Sequence, residues 1–348
     1  MSAPTDSPLT YASAGVDIDA QDRALVGVKR LARSTFTAGV LSDIGAFGGL
    51  FTLEPDNPAG QVLVASADGV GTKLKVAQLA GIHDTVGEDL VNHCVNDILV
   101  CGARPLFFLD YFASGTLEPG VMVRVVEGLA RGCRANACAL LGGETAEMPG
   151  FYARGEYELA GFVVGGCRRD RLLRREAVVA GDVLVALPST GLHTNGYSLA
   201  RRIFFEVLGL GVDSPVPELG RTVAEALLAV HRSYLPAVGP LLERGFVKAA
   251  AHVTGGGIPD NLPRALPAGL GAEIFVDSWD EPPLFGLLRR AGRVPEDDMR
   301  RTFNLGVGMI LVVAEESLGD VLESLVPHGP GWVVGRVAGE PGVRFVRR

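Results

Sequence analysis

Apolar residues recur along the chain in short runs that alternate with segments of helical period. In the first half, this pattern predicts helices over 85–101 and 119–138 and strands over 61–67, 105–113, 139–141 and 158–166. In the second half, it predicts helices over 197–208 and 223–243 and strands over 182–187, 246–253, 272–276, 304–314 and 332–337. Strands that alternate with helices are typical of the α/β class.

The length of 348 residues exceeds that of a typical single domain. Residues 1–58 show few clean periods and are predicted to be loop-like, and a charged stretch at 168–176 interrupts the apolar pattern. We therefore predict an N-terminal segment over 1–58, one domain over 59–171 and a second domain over 172–348.

Composition and charge narrow the classes of function. The chain has 32 Lys and Arg against 40 Asp and Glu, and a net charge of −8 disfavours a protein that grips nucleic-acid phosphates. Five cysteines without a C-x-x-C pair favour reduced thiols. The N-terminus lacks the basic and apolar regions of a secretory signal, and no apolar run approaches the length of about 18 residues that a membrane span needs. We expect a soluble, cytoplasmic protein without nucleic-acid or membrane partners.

Glycine is unusually frequent, with 46 residues, about twice the number that average usage predicts. The glycines stand between apolar runs, where tight turns or close ligand approach would need them. Neither a Walker A loop nor a strand followed by G-x-G-x-x-G is present. Any phosphate site must therefore use another layout.

The first candidate site is the segment Asp68-Gly69-Val70-Gly71-Thr72-Lys73, directly after the strand 61–67. Its glycines would let backbone N–H groups approach phosphate oxygens at a helix start, and Lys73 would add a cation. An ordinary strand–turn–helix with Thr72 as the helix cap is the alternative.

The helix 85–101 carries a second candidate. Asp89, His93, Asn96 and Asp97 share one face of this helix, opposite its apolar stripe. The face is either solvated or offers Asn96 and Asp97 as oxygen ligands for Mg²⁺.

A third candidate is the glycine pair Gly142-Gly143 before Glu144, at the end of a short strand. It is either a turn or the place where Glu144 joins Asp68 and Asp97 at a bound metal–nucleotide.

The second half contributes two loops. His193, Thr194 and Asn195 follow the strand 182–187; His193 is suited to hold a phosphate or move a proton, whereas Thr194 or Asn195 could simply cap the next helix. His252 leads into three glycines, which form either an anion nest or a flexible turn. The remaining histidines lack such neighbours and are predicted to be surface or core residues: His83, His231 and His328.

In their order and spacing, these segments resemble the phosphoribosylformylglycinamidine cyclo-ligase (aminoimidazole ribonucleotide synthetase) family. The resemblance spans about residues 11–338 and is carried by A-G-V-D-I at 14–18, D-G-V-G-T-K at 68–73, C-V-N-D-I at 94–98, G-A-R-P-L-F-F-L-D-Y at 102–111, G-G-E-T-A-E-M-P-G at 142–150, G-L-H-T-N-G-Y-S at 191–198, H-V-T-G-G-G at 252–257 and R-T-F-N-L-G-V-G-M at 301–309. The fifth and sixth of these are the most specific, whereas the D-G-x-G-T and N-D segments are shared by a wider ATP-binding superfamily.

The resemblance implies a two-domain α/β (α+β) fold in which each domain is a mixed sheet with helices packed on one side. It also implies a homodimer joined through strands of the N-terminal domain, with the partly mobile segment 1–58 over the nucleotide site. The implied activity is the ATP-dependent ring closure of formylglycinamidine ribonucleotide to aminoimidazole ribonucleotide, in which the formyl oxygen is phosphorylated and ADP and phosphate are released.

The resemblance also implies roles for individual residues. ATP would be bound by Asp68, Gly69, Val70, Gly71, Thr72, Lys73, Asn96, Gly143 and Glu144, and its Mg²⁺ by Asp68, Asp97 and Glu144. The ribonucleotide substrate would be bound by His193, Thr194, Asn195, His252, Gly255, Gly256 and Gly257. The implied catalytic residues are His193, Lys73 and Asp97, and Asp43 is a further metal candidate.

Two other classes of function stay open. Relatives in the superfamily, such as formylglycinamidine ribonucleotide synthetase, thiamine-monophosphate kinase and selenophosphate synthetase, phosphorylate other oxygens, but this chain has no glutaminase half and no cysteine near its N-terminus. A nucleotide-binding scaffold without activity is the other alternative, and it would have no need of Asp68, Asp97, Glu144 and His193 together.

Overall fold

The computed structural model describes residues 8–348 and consists of two mixed β-sheets with packed helices. The strands are β1 Gly49–Thr52, β2 Gln61–Gly69, β3 Arg104–Ser114, β4 Ala139–Glu147, β5 Tyr157–Arg168, β6 Val183–Pro188, β7 Pro215–Val216, β8 Arg221–Thr222, β9 Val247–His252, β10 Gly271–Phe275, β11 Val307–Val313, β12 Trp332–Ala338 and β13 Gly342–Val346. The helices are α1 Ile18–Arg33, α2 Lys73–Ala80, α3 Asp84–Leu99, α4 Pro119–Ala135, α5 Tyr197–Arg201, α6 Val223–Leu227, α7 Leu235–Arg244, α8 Gly257–Asn261, α9 Pro283–Gly292, α10 Glu296–Thr302 and α11 Leu318–Leu325. Of the helices in the described part of the chain, none is both long and apolar enough to cross a membrane.

The N-terminal sheet has the strand order β1-β2-β5-β3-β4. β3 and β4 run parallel, and the other neighbouring strands are antiparallel. Apolar side chains alternate along β2 and β5, so that Val62, Val64 and Leu159 are buried beneath α3. β4 forms one edge of the sheet and is exposed along most of its length.

The C-terminal sheet has the order β13-β10-β12-β6-β11-β9. Only β10 and β13 are parallel among these strands. The central strands β6 and β11 are buried on both faces, because successive side chains enter two different apolar clusters. α7 and α11 cover one face of the sheet, and α8 lies against the other. The prediction of two mixed α/β sheets is confirmed.

Several predicted elements differ from the observed ones. Residues 18–33, predicted as loop, form α1, which begins where Asp17 accepts the Ala20 N–H at 2.9 Å. The part of the N-terminal segment before residue 8 lies outside the described residues. The strand predicted over 139–141 continues to Glu147, because its parallel pairing with β3 extends across the two glycines. The pattern also missed β13 and the helices α9, α10 and α11.

The helix predicted over 223–243 is wrong in its middle, because residues 228–234 form an irregular connection between α6 and α7. Side chains of α3 bind the backbone of this 228–234 segment: Asp89 accepts the His231 N–H at 2.7 Å, and Asn92 donates to the His231 carbonyl at 2.8 Å. These tertiary hydrogen bonds outweigh the helical period of the sequence.

The helices α3 and α4 touch backbone to backbone. A Cβ atom on Gly87 of α3 would lie 2.3 Å from the Val125 carbonyl oxygen, and one on Gly128 of α4 would lie 2.2 Å from the Asp84 carbonyl oxygen. Only glycine fits at these two positions. On its other side, α3 meets the 228–234 segment, so the helix is enclosed between the two halves of the molecule.

Candidate active site

Four of the six histidines of the chain meet between the two sheets. His93 lies on α3, His193 follows β6, His231 belongs to the 228–234 segment and His252 ends β9. The rings of His193 and His231 stack with centroids 3.9 Å apart, and the Nε2 atoms of His231 and His252 are 3.1 Å apart. All four side chains are buried. We refer to them as the histidine cluster.

The polar face of α3 is buried and not solvated, which excludes the first of its two interpretations. The buried polar residues on this helix are Asp89, Asn92, His93, Asn96 and Asp97. Asn96, predicted to bind ATP, instead accepts the Tyr234 N–H at 2.9 Å and donates to the Arg232 carbonyl at 2.8 Å. Much of this face therefore holds the two halves of the chain together.

Two of the predicted metal carboxylates reach the histidine cluster. Asp68 Oδ2 lies 2.7 Å from His93 Nε2, and Asp97 Oδ1 lies 2.9 Å from His252 Nδ1. Asp97 also accepts a hydrogen bond from Ser66 at 3.0 Å, and its Oδ2 is 4.0 Å from His93 Nε2. The structure therefore brings Asp68 and Asp97, which the sequence assigned to a metal, to the same cluster as His252, which it assigned to the substrate. The imidazole of His93, to which the sequence gave no role of its own, lies between them.

The protonation of the cluster is uneven. Burial acts to lower the pKa of His93, but the carboxylate of Asp68, followed by those of Asp97 and Asp89, raises this pKa to about 9. Burial lowers the pKa of His252, and it holds the pKa values of His193 and His231 well below the ordinary value, with neighbouring cations adding to the effect. At neutral pH the metal-free cluster thus has a cationic His93 and neutral partners.

The free energy of unfolding of the metal-free protein is expected to fall by about 2–3 kcal/mol as the pH rises from 6.5 to beyond 9. A raised pKa stabilises the fold fully below the ordinary value of 6.5, and this contribution is lost as the pH passes about 9. Urea unfolding with a chelator present, at a series of pH values, measures the decline. The variant His93→Gln should lack this decline. Since both proteins share every other titrating group, the same pH dependence of the unfolding free energy in both would contradict the raised pKa of His93.

Glu144 does not join Asp68 and Asp97 within one chain, which corrects the predicted set of three metal carboxylates. In the sheet, Gly143 is paired with Asp110, Asp110 with Gly161, and Gly161 with Asp68. Three strand spacings correspond to roughly 14 Å, and Glu144 is exposed on the edge strand. A Cβ atom on Gly143 would lie 2.2 Å from the Asp110 carbonyl oxygen, so this glycine permits strand packing.

Lys73 is fully buried and ion-paired, which argues against its predicted contact with phosphate. Its Nζ lies 2.7 Å from Asp89 Oδ2 and donates to the carbonyl oxygens of Ala229 at 2.8 Å and His193 at 3.2 Å. These three partners use all three hydrogens of the ammonium group. Lys73 therefore joins α2, α3 and the C-terminal half in this structure.

Some backbone N–H groups of the glycine-rich segment before α2 already form hydrogen bonds within the chain. The Gly69 N–H donates to Asp68 Oδ1 at 2.6 Å, and the Val70 N–H donates to the Leu159 carbonyl at 3.1 Å. Thr72 does not cap α2; its hydroxyl lies 3.2 Å from that of Ser198. The predicted phosphate contacts are thereby narrowed to the exposed Gly71 and Thr72 at the helix start.

The loop after β6 meets the other predicted substrate segments. Thr194 Oγ1 lies 2.7 Å from His93 Nδ1, and Asn195 Oδ1 lies 3.1 Å from the place of a Cβ atom on Gly255. His193 Nε2 accepts the Thr190 N–H at 3.2 Å, so its proton is on Nδ1, which has no hydrogen-bond partner in the described part of the chain. A buried, neutral His193 adds no positive charge to a phosphate site, which argues against its role as a phosphate holder.

The anion nest predicted at the three glycines after His252 is incomplete. The Gly257 N–H donates to the Thr254 carbonyl at 3.0 Å and is not available to a ligand. A Cβ atom on Gly257 would lie 1.8 Å from the Arg300 carbonyl oxygen, so this glycine allows α8 to pack on α10. Gly255 is exposed and Gly256 has a φ of +90°, which glycine adopts readily.

A cavity of about 740 Å³ lies at the C-terminal end of α3, about one turn beyond Asp97, and the histidine cluster is not part of its lining. Such a volume suits a nucleotide. Its wall includes Cys101, whose Sγ is 3.6 Å from the Asp97 carbonyl oxygen, and the basic residues Arg174 and Arg264. Asp43 also lines the cavity, but hydrogen bonds from Arg33 lower the pKa of its carboxyl to about 2 and occupy its oxygens. Asp43 is therefore not a free metal ligand.

Sequence reasoning missed His231 as a member of the site, and it placed His93 on the candidate face of α3 without giving it a role. His231 was expected in the core or on the surface, and it is buried at the centre of the cluster. Pro236, in the first turn of α7, was the available signal that the helical pattern around His231 is interrupted. For His93, the signal was its position one turn from Asp97 on the same helix face.

Comparison with known proteins gives a consistent result. Two family models match: AIR synthase related protein, N-terminal domain, over residues 49–167, and AIR synthase related protein, C-terminal domain, over residues 179–348. The chain is 50% identical to the phosphoribosylformylglycinamidine cyclo-ligase of Geobacter sulfurreducens, over 98% of this chain and 99% of that one. It is also 50% identical to the enzyme of the same name from Trichlorobacter lovleyi, over 94% of both chains. The solved structure of AaThiL complexed with AMPPCP and TMP shares the fold, with a TM-score of 0.64 and 14% identity over 95% of each chain.

Proposed function

Because the chain belongs to the AIR synthase related family, we propose that it closes the imidazole ring of formylglycinamidine ribonucleotide at the expense of ATP. The observation that carries this proposal is the 50% identity, over nearly the whole length, to relatives named phosphoribosylformylglycinamidine cyclo-ligase. ATP as cosubstrate is supported by the structural neighbour that binds AMPPCP, an ATP analogue. A cytoplasmic location is part of the proposal, supported by five free cysteines, and cell fractionation tests it.

The reaction needs an activated oxygen and a positioned nitrogen. The formyl oxygen takes the γ-phosphoryl group and ADP leaves; a substrate nitrogen then attacks the former formyl carbon, and phosphate departs with that oxygen while the nitrogen loses a proton. Such chemistry depends mainly on positioning and on charge around the phosphoryl oxygens. In this chain, the N–H groups of Gly71 and Thr72 at the start of α2 would hold phosphate oxygens, and Thr194, Asn195 and Gly255 would face the ribonucleotide.

Mg²⁺ enters this proposal as the ion that accompanies ATP. It takes oxygen ligands and keeps several waters, so the nucleotide phosphates and one carboxylate are sufficient. Asp68, with 35% of its side chain exposed, is the predicted carboxylate that such an ion can reach, whereas Asp97 is only 12% exposed.

The test is phosphate release from Mg²⁺–ATP with and without formylglycinamidine ribonucleotide, with aminoimidazole ribonucleotide measured in the same samples. Phosphate release should require the substrate and match the imidazole product one to one. Thiamine monophosphate serves as the control acceptor, since a structural neighbour was solved with TMP. ATP turnover that ignores formylglycinamidine ribonucleotide, without imidazole product, would contradict the proposal.

We propose further that two copies associate through the N-terminal sheet. Leu109 and Phe162 lie opposite each other on its outer face, 37% and 45% exposed, and Leu141 on the edge strand β4 is 64% exposed. Such a patch is typical of a protein–protein interface. Sedimentation equilibrium should give the mass of two chains, and Phe162→Lys should give one chain. The control Val326→Lys, at a more exposed apolar site elsewhere, should remain dimeric. A monomeric unmodified protein would contradict this arrangement.

A further inference from the structure

Two imidazoles and a carboxylate of the histidine cluster converge on one point. The ligand atoms of His93, Asp97 and His252 all lie within 4.8 Å of one another, and all three residues are buried. His93 Nε2 is 4.0 Å from Asp97 Oδ2, and His252 Nδ1 is 2.9 Å from Asp97 Oδ1. An ion with bonds of about 2.1 Å separates its ligands by roughly 3.0 Å at right angles and about 4.2 Å across. The observed spacings fall in or near this range.

The hydrogen bonds around the cluster fix which ring nitrogens carry protons. The hydrogen bonds with Tyr234 and Arg232 fix the orientation of the Asn96 amide group. Its NH₂ group, and not its oxygen, therefore lies 3.3 Å from His231 Nε2. His231 Nε2 must then accept, and its proton is on Nδ1, which faces Thr194 Oγ1 at 3.4 Å. His252 Nε2, 3.1 Å from His231 Nε2, therefore donates.

These assignments leave two ring nitrogens directed at carboxylates. His252 has its proton on Nε2, so its Nδ1 lone pair faces Asp97. His93 donates from Nδ1 to Thr194 at 2.7 Å, so its Nε2 faces Asp68 and Asp97. At His93 Nε2 a proton occupies this place in the metal-free protein. At His252 Nδ1 the lone pair beside the Asp97 carboxylate is repulsive unless a cation lies between them.

We propose that His93 Nε2, His252 Nδ1 and the Asp97 carboxylate bind one divalent transition-metal ion, with Asp68 Oδ2 as an additional ligand 2.7 Å from His93 Nε2. Such an ion displaces to solvent the proton that His93 holds at Nε2, and a divalent ion with two neutral imidazoles and two carboxylates carries no net charge. Imidazole nitrogens favour Zn²⁺ or Co²⁺ over Mg²⁺, which takes oxygen ligands. The ion is therefore separate from the Mg²⁺ that travels with ATP.

The outer contacts match those of known metal sites. A metal-bound imidazole usually donates its other N–H to a fixed acceptor, which orients the ring. Here His93 donates to Thr194, and His252 donates to His231, which explains why His231 belongs to the cluster without touching the ion. The alternative trio of His193, His231 and His252 also lies within 4.8 Å. It is less suitable, because His231 Nε2 accepts from Asn96 and His252, and His193 Nε2 accepts from Thr190.

The test is a titration of the chelator-treated protein with Co²⁺, followed by Zn²⁺ competition against a chromophoric chelator, without ATP or substrate. Visible ligand-field bands should saturate at one Co²⁺ per chain, and Zn²⁺ should bind at least about 100-fold more tightly than Mg²⁺. His93→Gln and His252→Gln should each weaken Zn²⁺ binding at least about 100-fold and alter the Co²⁺ spectrum. The control is His83→Gln, because His83 is also buried but bonds to Tyr157 away from the cluster.

This inference rests on the proposed function only in taking the histidine cluster to be part of the active site. Metal binding and ring closure can therefore be tested separately. A protein that binds Co²⁺ as described but fails to cyclise contradicts the function alone. The inference is overturned if the unmodified protein binds neither Co²⁺ nor Zn²⁺ more tightly than Mg²⁺. It is also overturned if both histidine variants, folded by circular dichroism, bind Zn²⁺ as the unmodified protein does.

Discussion

Replacing Asp97 by asparagine is expected to lower the turnover number for ring closure at least about 100-fold. The amide has nearly the same shape, so packing at the end of α3 is preserved. The negative charge that faces His93 and His252 is lost, and a neutral amide now lies beside the two ring nitrogens. Steady-state kinetics with both ATP and the ribonucleotide varied should show the loss in kcat.

The matched control for this variant lies on the same helix. Glu88 of α3 points away from the histidine cluster and pairs with Arg131 at 2.5 Å, with 20% of its side chain exposed. Glu88→Gln should keep a near-normal turnover number. A near-normal rate for Asp97→Asn, with unfolding curves showing that both variants are folded, would exclude Asp97 from the reaction.

Replacing Lys73 by methionine is expected to reduce the free energy of unfolding by about 3–5 kcal/mol. The variant leaves the Asp89 carboxylate buried without its cation and leaves the carbonyl groups of His193 and Ala229 without a donor. Urea unfolding measures the loss. Adding Asp89→Asn, which removes the orphaned charge while retaining an acceptor for the His231 N–H, should recover much of it.

A lysine of the same helix provides the comparison. Lys75 pairs with Glu156 at the surface, and both side chains are more than a third exposed. Lys75→Met should change the unfolding free energy by less than about 1 kcal/mol. If Lys73→Met were instead as stable as the unmodified protein and showed a raised KM for ATP, Lys73 would be the phosphate ligand that the sequence motif implies.

The fold was predictable wherever the hydrophobic pattern reports a single local period. β2, β5 and β11 follow from runs that alternate or stay apolar, because one or both of their faces are covered. The 228–234 segment escaped prediction, since its conformation depends on hydrogen bonds from α3, more than 130 residues earlier in the chain.

The sequence predicted which residues belong to the site better than it predicted the contacts that they make. Asp68, Asp97, Thr194 and His252 were identified from motifs, and the structure places them together. Which donor meets which acceptor depends on the packing of the two sheets, and the sequence does not encode this in any local pattern. For that reason Lys73 was expected at a phosphate, whereas its partner is Asp89. Glu144 was expected beside Asp68, whereas three strand spacings separate the two.

With α3 and α4 in backbone contact at Gly87 and Gly128, α3 has no room to slide away from the C-terminal half. Its opposite face is held by the buried hydrogen bonds of Asp89, Asn92 and Asn96. A helix fixed on both sides cannot serve as a hinge, and separating the two sheets would break those bonds and expose the charged groups behind them. We therefore expect the two halves to stay together when a substrate enters.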